Sequence, residues 1–360
     1  MVAARFEKEN IITIKGKSGR YNELDALRDV AALMVVLFHF TMNNQQFTTV
    51  FKFGTTGVDL FFMISGFVIF MSFDKISGSK QFIINRVSRL YPGYWAAVTF
   101  TFIVMLIVKL MRDSSINVFY QIKKYTANLT MLQFYFRVPN IDASYWTLLI
   151  ELLFYAVMLL LYHFKLLKQI NIIGIFTTLT VTISAHIFYN FYIFQKVFKF
   201  MPLLQFVPLF LAGINFYKLY TNRKSGIKNW LIILLCLLSQ IILFKQAGRS
   251  KSYINVYEYA GMLSLYFTLF TAFINNKLHF IVNSITLFLG KISYALYLIH
   301  EYISIKVIIP VLVNKFHIPF WAAAIGITLP IVIILATLLT FWIEIPFGKK
   351  LKKKMETYLI

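Results

Sequence analysis

Apolar positions in this chain come in long unbroken blocks, with neither the strict alternation of a half-buried strand nor the narrow stripe of a soluble helix. Crossing the hydrocarbon core of a bilayer takes about twenty predominantly apolar residues of helix. Blocks near that length centre on Leu33, Met63, Phe102, Phe154, Thr178, Pro208, Leu235, Leu265, Tyr297 and Ile331. They predict an all-α polytopic membrane protein with about ten transmembrane helices, because in lipid the backbone must satisfy its own hydrogen bonds. Residues 119–136, within VFYQIKKYTANLTMLQFYF, mix aromatic side chains with lysines and predict an interfacial or re-entrant helix instead of a span.

Composition supports this reading. Of 360 residues, 59% are hydrophobic and 14% charged, whereas soluble domains carry about 25% charged residues. A net charge of +22 raises the question of nucleic acid. The basic residues, however, sit in short connections between apolar blocks, as cytoplasmic loops and lipid headgroups require, so nucleic-acid binding is excluded. The single cysteine, Cys236, lies inside an apolar block and supports neither a disulfide nor a thiolate metal site. The first twenty residues are polar and basic without an apolar core, so no cleavable signal is expected and the first span directs insertion. With the N-terminus inside, the inner segments carry 21 Lys and Arg and the outer segments 12, which predicts cytoplasmic termini. The expected organisation is a cytoplasmic segment over 1–22, a membrane domain over 23–346 and a basic cytoplasmic tail over 347–360.

The polar residues inside the apolar blocks carry the candidate chemistry. In ELDALRDVAALMVVLFHF, Arg28 and His39 are eleven positions apart and share a helix face, about 16 Å along it. Charged and titratable groups on such a face suggest a site looking into the protein; snorkelling of Arg28 and interfacial placement of His39 would explain them equally well. In the second block, GTTGVDLFFMISGFVIFMSF, Gly57, Ser65 and Gly66 permit close helix approach. Asp59 needs either the outer interface or a partner, and His39 is expected at a similar depth. A carboxylate fixes an imidazole's tautomer and raises its basicity.

Further along, INRVSRLYPGYW places Arg86 and Arg89 at i, i+3 on a helix expected to end by Pro92. A guanidinium pair suits phosphate, and positive-inside anchoring suits it too. Glu151, in SYWTLLIELLFYAVM, has apolar neighbours on both sides and should be protonated, paired or lining a polar cavity. In GKISYALYLIHEYISI, Ser293, Tyr297 and His300 share a face while Glu301 points elsewhere. A lone histidine there is a packing group first and a candidate for chemistry second. Glu344, where the last block ends, suggests an ion pair near the level of Arg86 and Arg89. Soluble-enzyme signatures are absent: GKS at Gly16 to Ser18 has Ile11 where a P-loop needs glycine, and neither HExxH nor GxSxG occurs. No metal site is expected.

Taken in order, LDALRDVAALMVVLFHF, GVDLFFMISGFVI, INRVSRLYPGYW, SYWTLLIELLFY, GKISYALYLIH and the late EIP resemble the acyltransferase type 3 family of integral-membrane O-acyltransferases along nearly the whole chain. The resemblance implies transfer of an acyl group, most often acetyl from acetyl-CoA, to a hydroxyl of a cell-envelope polysaccharide or lipid-linked sugar in a bacterial cell membrane. It carries the family's first arginine and histidine onto Arg28 and His39, its arginine pair onto Arg86 and Arg89, and its serine, tryptophan and glutamate onto Ser144, Trp146 and Glu151. On this reading His39, Asp59 and Glu151 are the catalytic candidates, Arg28, Arg86 and Arg89 hold the acetyl-CoA phosphates, and Ser65, Trp146 and His300 face the acceptor. Many members carry an extra extracytoplasmic hydrolase-like domain, which is not expected here; a separate partner protein could then finish the transfer. The rival class is a transporter or flippase of a lipid-linked glycan, which ten spans with intramembrane charges would also suit.

Overall fold

A computed structural model describes residues 21–112, 117–222, 226–244 and 250–359. The N-terminal segment as far as Arg20, with the GKS stretch, lies outside the described residues, as do Arg223, Lys224, Lys245 and Arg249. The chain is built of helices: Asn22–Thr41 (α1), Gly57–Ser72 (α2), Ser79–Arg112 (α3), Val118–Leu129 (α4), Trp146–His163 (α5), Ile170–Phe188 (α6), Tyr192–Phe200 (α7), Val207–Thr221 (α8), Gly226–Leu243 (α9), Val256–Ile274 (α10), Ser284–Ile303 (α11), Leu329–Leu339 (α12) and Ile345–Leu359 (α13). Among the described residues, eight helical segments are long and apolar enough to cross a membrane. They account for eight of the ten expected blocks. The blocks around Leu33 and Leu265 do form helices, α1 and α10, but the first turns of α1 hold Glu23, Asp25, Arg28 and Asp29, and α10 opens on Tyr257, Glu258 and Tyr259. The segment after residue 117 is a 12-residue helix, α4, too short to cross. Over the expected tail the chain is helical as far as Leu359, in α13.

The chain divides into two compact units. The first comprises Lys52–Met71 and Gln169–Lys291, together with the chain up to Met34. Its core is aromatic: Phe67, fully buried, meets the rings of Tyr21, Tyr217 and Phe273 with centroids 6.0, 5.2 and 5.5 Å away. In lipid the hydrophobic effect does not drive helices together, so close packing must. The glycines supply it at the crossing of α2 and α8. A Cβ on Gly66 would lie 2.2 Å from the Phe210 carbonyl oxygen, and one on Gly213 would lie 2.1 Å from that of Met63. Backbone meets backbone from both sides, so neither position has a flexible neighbour that can yield. Gly213→Val should therefore destabilise the protein by at least about 1–3 kcal/mol, the usual cost of overpacking. Thermal unfolding in detergent checks this, and an unchanged midpoint would show that the crossing tolerates a wider spacing.

The second unit comprises Val35–Phe51, Ser72–Lys168 and Ile292–Ile360. Its longest element is α3, which continues straight through Pro92, contrary to the expected helix end. A proline inside a helix deprives the carbonyl four residues earlier of its donor, here Ser88. That carbonyl is where the last helix packs: a Cβ on Gly348 would come within 2.7 Å of the Ser88 oxygen. The gap left by Pro92 is thus covered by a glycine of α13, and the helix survives. With 34 residues α3 is about 51 Å long, against about 30 Å of hydrocarbon, so one end projects beyond the membrane. Helix α4 docks on α3 through its backbone: the Tyr94 and Tyr91 hydroxyls donate to the Asn128 and Thr130 carbonyls at 2.6 and 3.2 Å, and the Trp95 indole donates to Leu129 at 3.0 Å.

Candidate functional site

The second unit gathers most of the sequence-predicted site residues. His39, near the C-terminal end of α1, and His300, near that of α11, meet ring to ring, with Nε2 of His300 3.0 Å from Nδ1 of His39. His300 is fully buried. The hydrogen-bond partners assign the protons. Carbonyl oxygens only accept, so the Val35 carbonyl 2.9 Å from His39 Nδ1 and the Tyr297 carbonyl 2.8 Å from His300 Nδ1 each place a hydrogen on that nitrogen. The lone pair of His300 then sits on Nε2, and the one hydrogen on His39 Nδ1 is shared between the Val35 carbonyl and His300 Nε2. What remains basic on His39 is Nε2, and Glu301 holds a carboxylate oxygen 3.7 Å from it.

This arrangement departs from expectation at Glu301. Glu301, expected to point away from the His300 face, stands beside His39. Successive positions on a helix diverge by 100°, yet a side chain lying between those two directions meets both. Asp59, expected as the partner of His39, belongs to the first unit, where its carboxyl group shares a hydrogen bond with Tyr259. Asp59 is buried there, near Thr56, whose hydroxyl lies 2.7 Å from that of Tyr266. Ser65 lies in the same unit, next to the tightly packed Gly66, and Arg28 is occupied by an ion pair with Asp25 at 2.7 Å. These three candidates are thus built into the first unit, each with local structure around it.

Around the histidine pair the second unit builds a polar frame, and its centre is a residue that sequence reasoning missed. Asp142, fully buried, accepts from the Ser144 backbone N–H at 3.0 Å and hydroxyl at 2.6 Å with one oxygen, and from the Tyr302 N–H at 2.9 Å with the other. It ties the start of α5 to the turn of α11 that carries His300 and Glu301. Tyr297 adds a second tie, donating its hydroxyl to the Ser144 carbonyl at 3.0 Å and lying 2.7 Å from the Thr147 hydroxyl. Trp146, half-buried, begins α5 directly after this frame. Beyond Ile303 the helix continues as a π-helical stretch, Ser304–Ile308, a distortion often found at functional sites.

A second cluster lies further along α5. The Tyr155 hydroxyl donates to Glu151, and the Arg86 guanidinium lies 5.4 Å from the Phe82 ring centre and 5.6 Å from that of Tyr155. Arg89, by contrast, is exposed. The i, i+3 spacing leaves 60° between them, and the boundary between interior and surface passes through that gap. Among the described residues no group of three or more His, Cys, Asp or Glu side chains is arranged to hold a metal ion.

Comparison with known proteins adds the family. The chain is 31% identical over 114 residues to the exopolysaccharide production protein ExoZ of Rhizobium meliloti, covering 30% of this chain and 34% of that protein. It is 32% identical over 80 residues to ORF330 of Acidianus two-tailed virus, provisionally named an acetyltransferase, covering 22% and 24%. The chain thus matches about a quarter to a third of the length of these relatives. No solved structure matches it. The sequence profile of the acyltransferase domain characteristic of the acyltransferase type 3 family matches residues 21–345, a stretch that holds both histidines, the Asp142 frame and the arginine cluster, and the chain belongs to that family.

Proposed function

We propose that this protein is a membrane O-acyltransferase that moves an acetyl group from acetyl-CoA to a hydroxyl of a cell-envelope polysaccharide or lipid-linked sugar, with His39 as general base. The observation that carries the reading is the setting of His39: its Nδ1 lies 2.9 Å from the Val35 carbonyl and 3.0 Å from His300 Nε2, and its Nε2 lies 3.7 Å from a Glu301 carboxylate oxygen. A base within reach of neutral pKa is what the reaction demands. The acceptor hydroxyl gives its proton to Nε2 as its oxygen attacks the thioester carbonyl. The imidazolium so formed is stabilised by Glu301. When the tetrahedral intermediate collapses, the C–S bond breaks and the departing thiolate takes the proton back from Nε2, which leaves an ester, free CoA and a neutral His39.

Family membership supports acyl transfer, and similarity to ExoZ, an exopolysaccharide production protein, supports a polysaccharide acceptor. The proposed setting is a bacterial cell membrane with both termini cytoplasmic, supported by the excess of Lys and Arg in alternate connections. The test uses cells with and without the protein. Envelope glycans should lose acetyl groups when it is deleted, and a reporter at the C-terminus should read cytoplasmic. Unchanged glycan acetylation together with no acetyl-CoA hydrolysis or transfer by the purified protein would overturn the assignment.

The two arginines should separate in the same assay. Arg89 is exposed and suits the CoA phosphates, whereas Arg86 is packed against Tyr155 and Phe82. Arg89→Gln is expected to raise the KM for acetyl-CoA about tenfold with little change in kcat, the loss of one charge-assisted contact. Arg86→Gln is expected to reduce the amount of folded protein instead. Equal KM effects from both would return them to a common task.

A further inference from the structure

The second unit has an open groove on its surface that the proposed chemistry does not use. Its walls are a stripe of α3 running from Pro92 to Ile103 at i, i+3, i+4, i+7, i+8 and i+11, and a stripe of the last helix through Phe347, Lys350, Leu351 and Lys354. The volume is about 630 Å³, within the range of small-molecule sites, about 300–1,000 Å³. The two helices run antiparallel: Lys80 Nζ donates to the Leu359 carbonyl at 2.9 Å, Gly348 packs on Ser88, and Gly93 faces Glu344.

That antiparallel register gives the groove two chemically different ends. Lys350 and Lys354 stand at the level where α3 begins, and the other end, towards Phe100 and Ile103, is apolar. Among the described residues no carboxylate lines it; Glu356 pairs instead with Lys352 on another face, at 3.8 Å. Two like charges at i, i+4 on one helix face repel. An anion between them would turn that repulsion into attraction. Phosphate at one end and an apolar chain of about 16 Å at the other, matching the eleven-residue rise from Pro92 to Ile103, are the two parts of one molecule.

We propose that this groove is a specific site for an anionic diacyl phospholipid of the surrounding bilayer, its phosphate held by Lys350 and Lys354 and an acyl chain laid along Trp95, Phe100 and Ile103. The lipid links α3 to α13 from outside, where Pro92 has weakened the helix's own bonding. The surface attraction of basic residues for anionic lipid amounts to about fivefold in affinity per lysine.

The test uses the full chain, purified in detergent and equilibrated with equal amounts of phosphatidylglycerol and phosphatidylcholine, with retained lipids counted by native mass spectrometry. Wild type should retain phosphatidylglycerol in preference. The double substitution Lys350→Gln with Lys354→Gln should reduce its retention by about twenty-five-fold, and Ala96→Trp, which fills the groove without touching a charge, should reduce it as well. Lys349→Gln with Lys353→Gln removes the same charge from the same helix off the groove, and should reduce retention clearly less. Equal retention of both lipids by wild type, or equal losses from the two double substitutions, would overturn the proposal in favour of a diffuse basic surface.

Discussion

His39→Ala is expected to reach the membrane at near-normal level and to transfer acyl groups about 10² to 10⁴ times more slowly than wild type, the usual loss when a positioned general base is removed. The size of the effect follows from the geometry. His39 turns Nε2 towards Glu301, and neither His300 nor Glu301 can replace it: His300 Nε2 is turned to His39 Nδ1, and a carboxylate is a weaker base than an imidazole. His39 is partly exposed, with side-chain accessibility of 13%, whereas His300 is fully buried. His300→Ala should behave differently. It deletes a buried group that orients His39, so it should lower kcat and folded yield together, while Glu301→Gln should lower kcat alone by removing the counter-charge of the imidazolium. Turnover per folded molecule in detergent or nanodiscs separates these outcomes. A His39→Ala protein that keeps most of its turnover, or a His300→Ala protein that is the less active of the two, would move the proton transfer to the second histidine.

Asp142→Ala should be the most destabilising single change at the site. Three donors converge on this buried carboxylate, two from Ser144 and one from the Tyr302 backbone. Alanine leaves those donors without their acceptor where no water reaches, at about 1–3 kcal/mol for each buried group left unsatisfied. A total of about 3–5 kcal/mol is expected, the range seen when one partner of a buried charged network is removed. The measurement is thermal unfolding of the purified protein alongside turnover. Asp142→Asn, which keeps one acceptor oxygen, should recover part of the stability. A small shift in midpoint for Asp142→Ala would mean that the link between α5 and α11 is held chiefly by Tyr297.

Much of this architecture can be read directly from the residue pattern, because lipid leaves a spanning chain few options. A backbone without water must hydrogen-bond within itself, so an apolar block of the right length becomes a helix whatever its neighbours are. Helices therefore form at every expected block, including α1 and α10, whose first turns are polar. The local signal for Asp142 was also present: an aspartate two residues before a serine at the start of an apolar block is a capping arrangement, though in a sequence of long blocks it reads as an ordinary loop residue. Pro92 misleads for a physical reason. The rule that proline ends a helix assumes nothing compensates the freed carbonyl, and here Gly348, more than 250 positions away, lets another helix cover it.

Spans, their chemistry-bearing residues and the family follow from the order of residues along the chain, since each depends on composition and spacing within one segment. Partnership does not. His39 and His300 are 261 positions apart, and whether an imidazole is a packing group or one half of a proton relay depends on which helix lies against it. The same holds for Glu301, whose helical position says only which way it leaves its own backbone, and for Arg86 and Arg89, which a three-residue spacing presents as a pair until packing lodges one against Phe82 and Tyr155 and exposes the other. Sequence determines the directions in which side chains leave each helix. Only tertiary packing decides what stands in those directions, because helix contacts in lipid are selected by close fit and buried hydrogen bonds between segments remote in the chain.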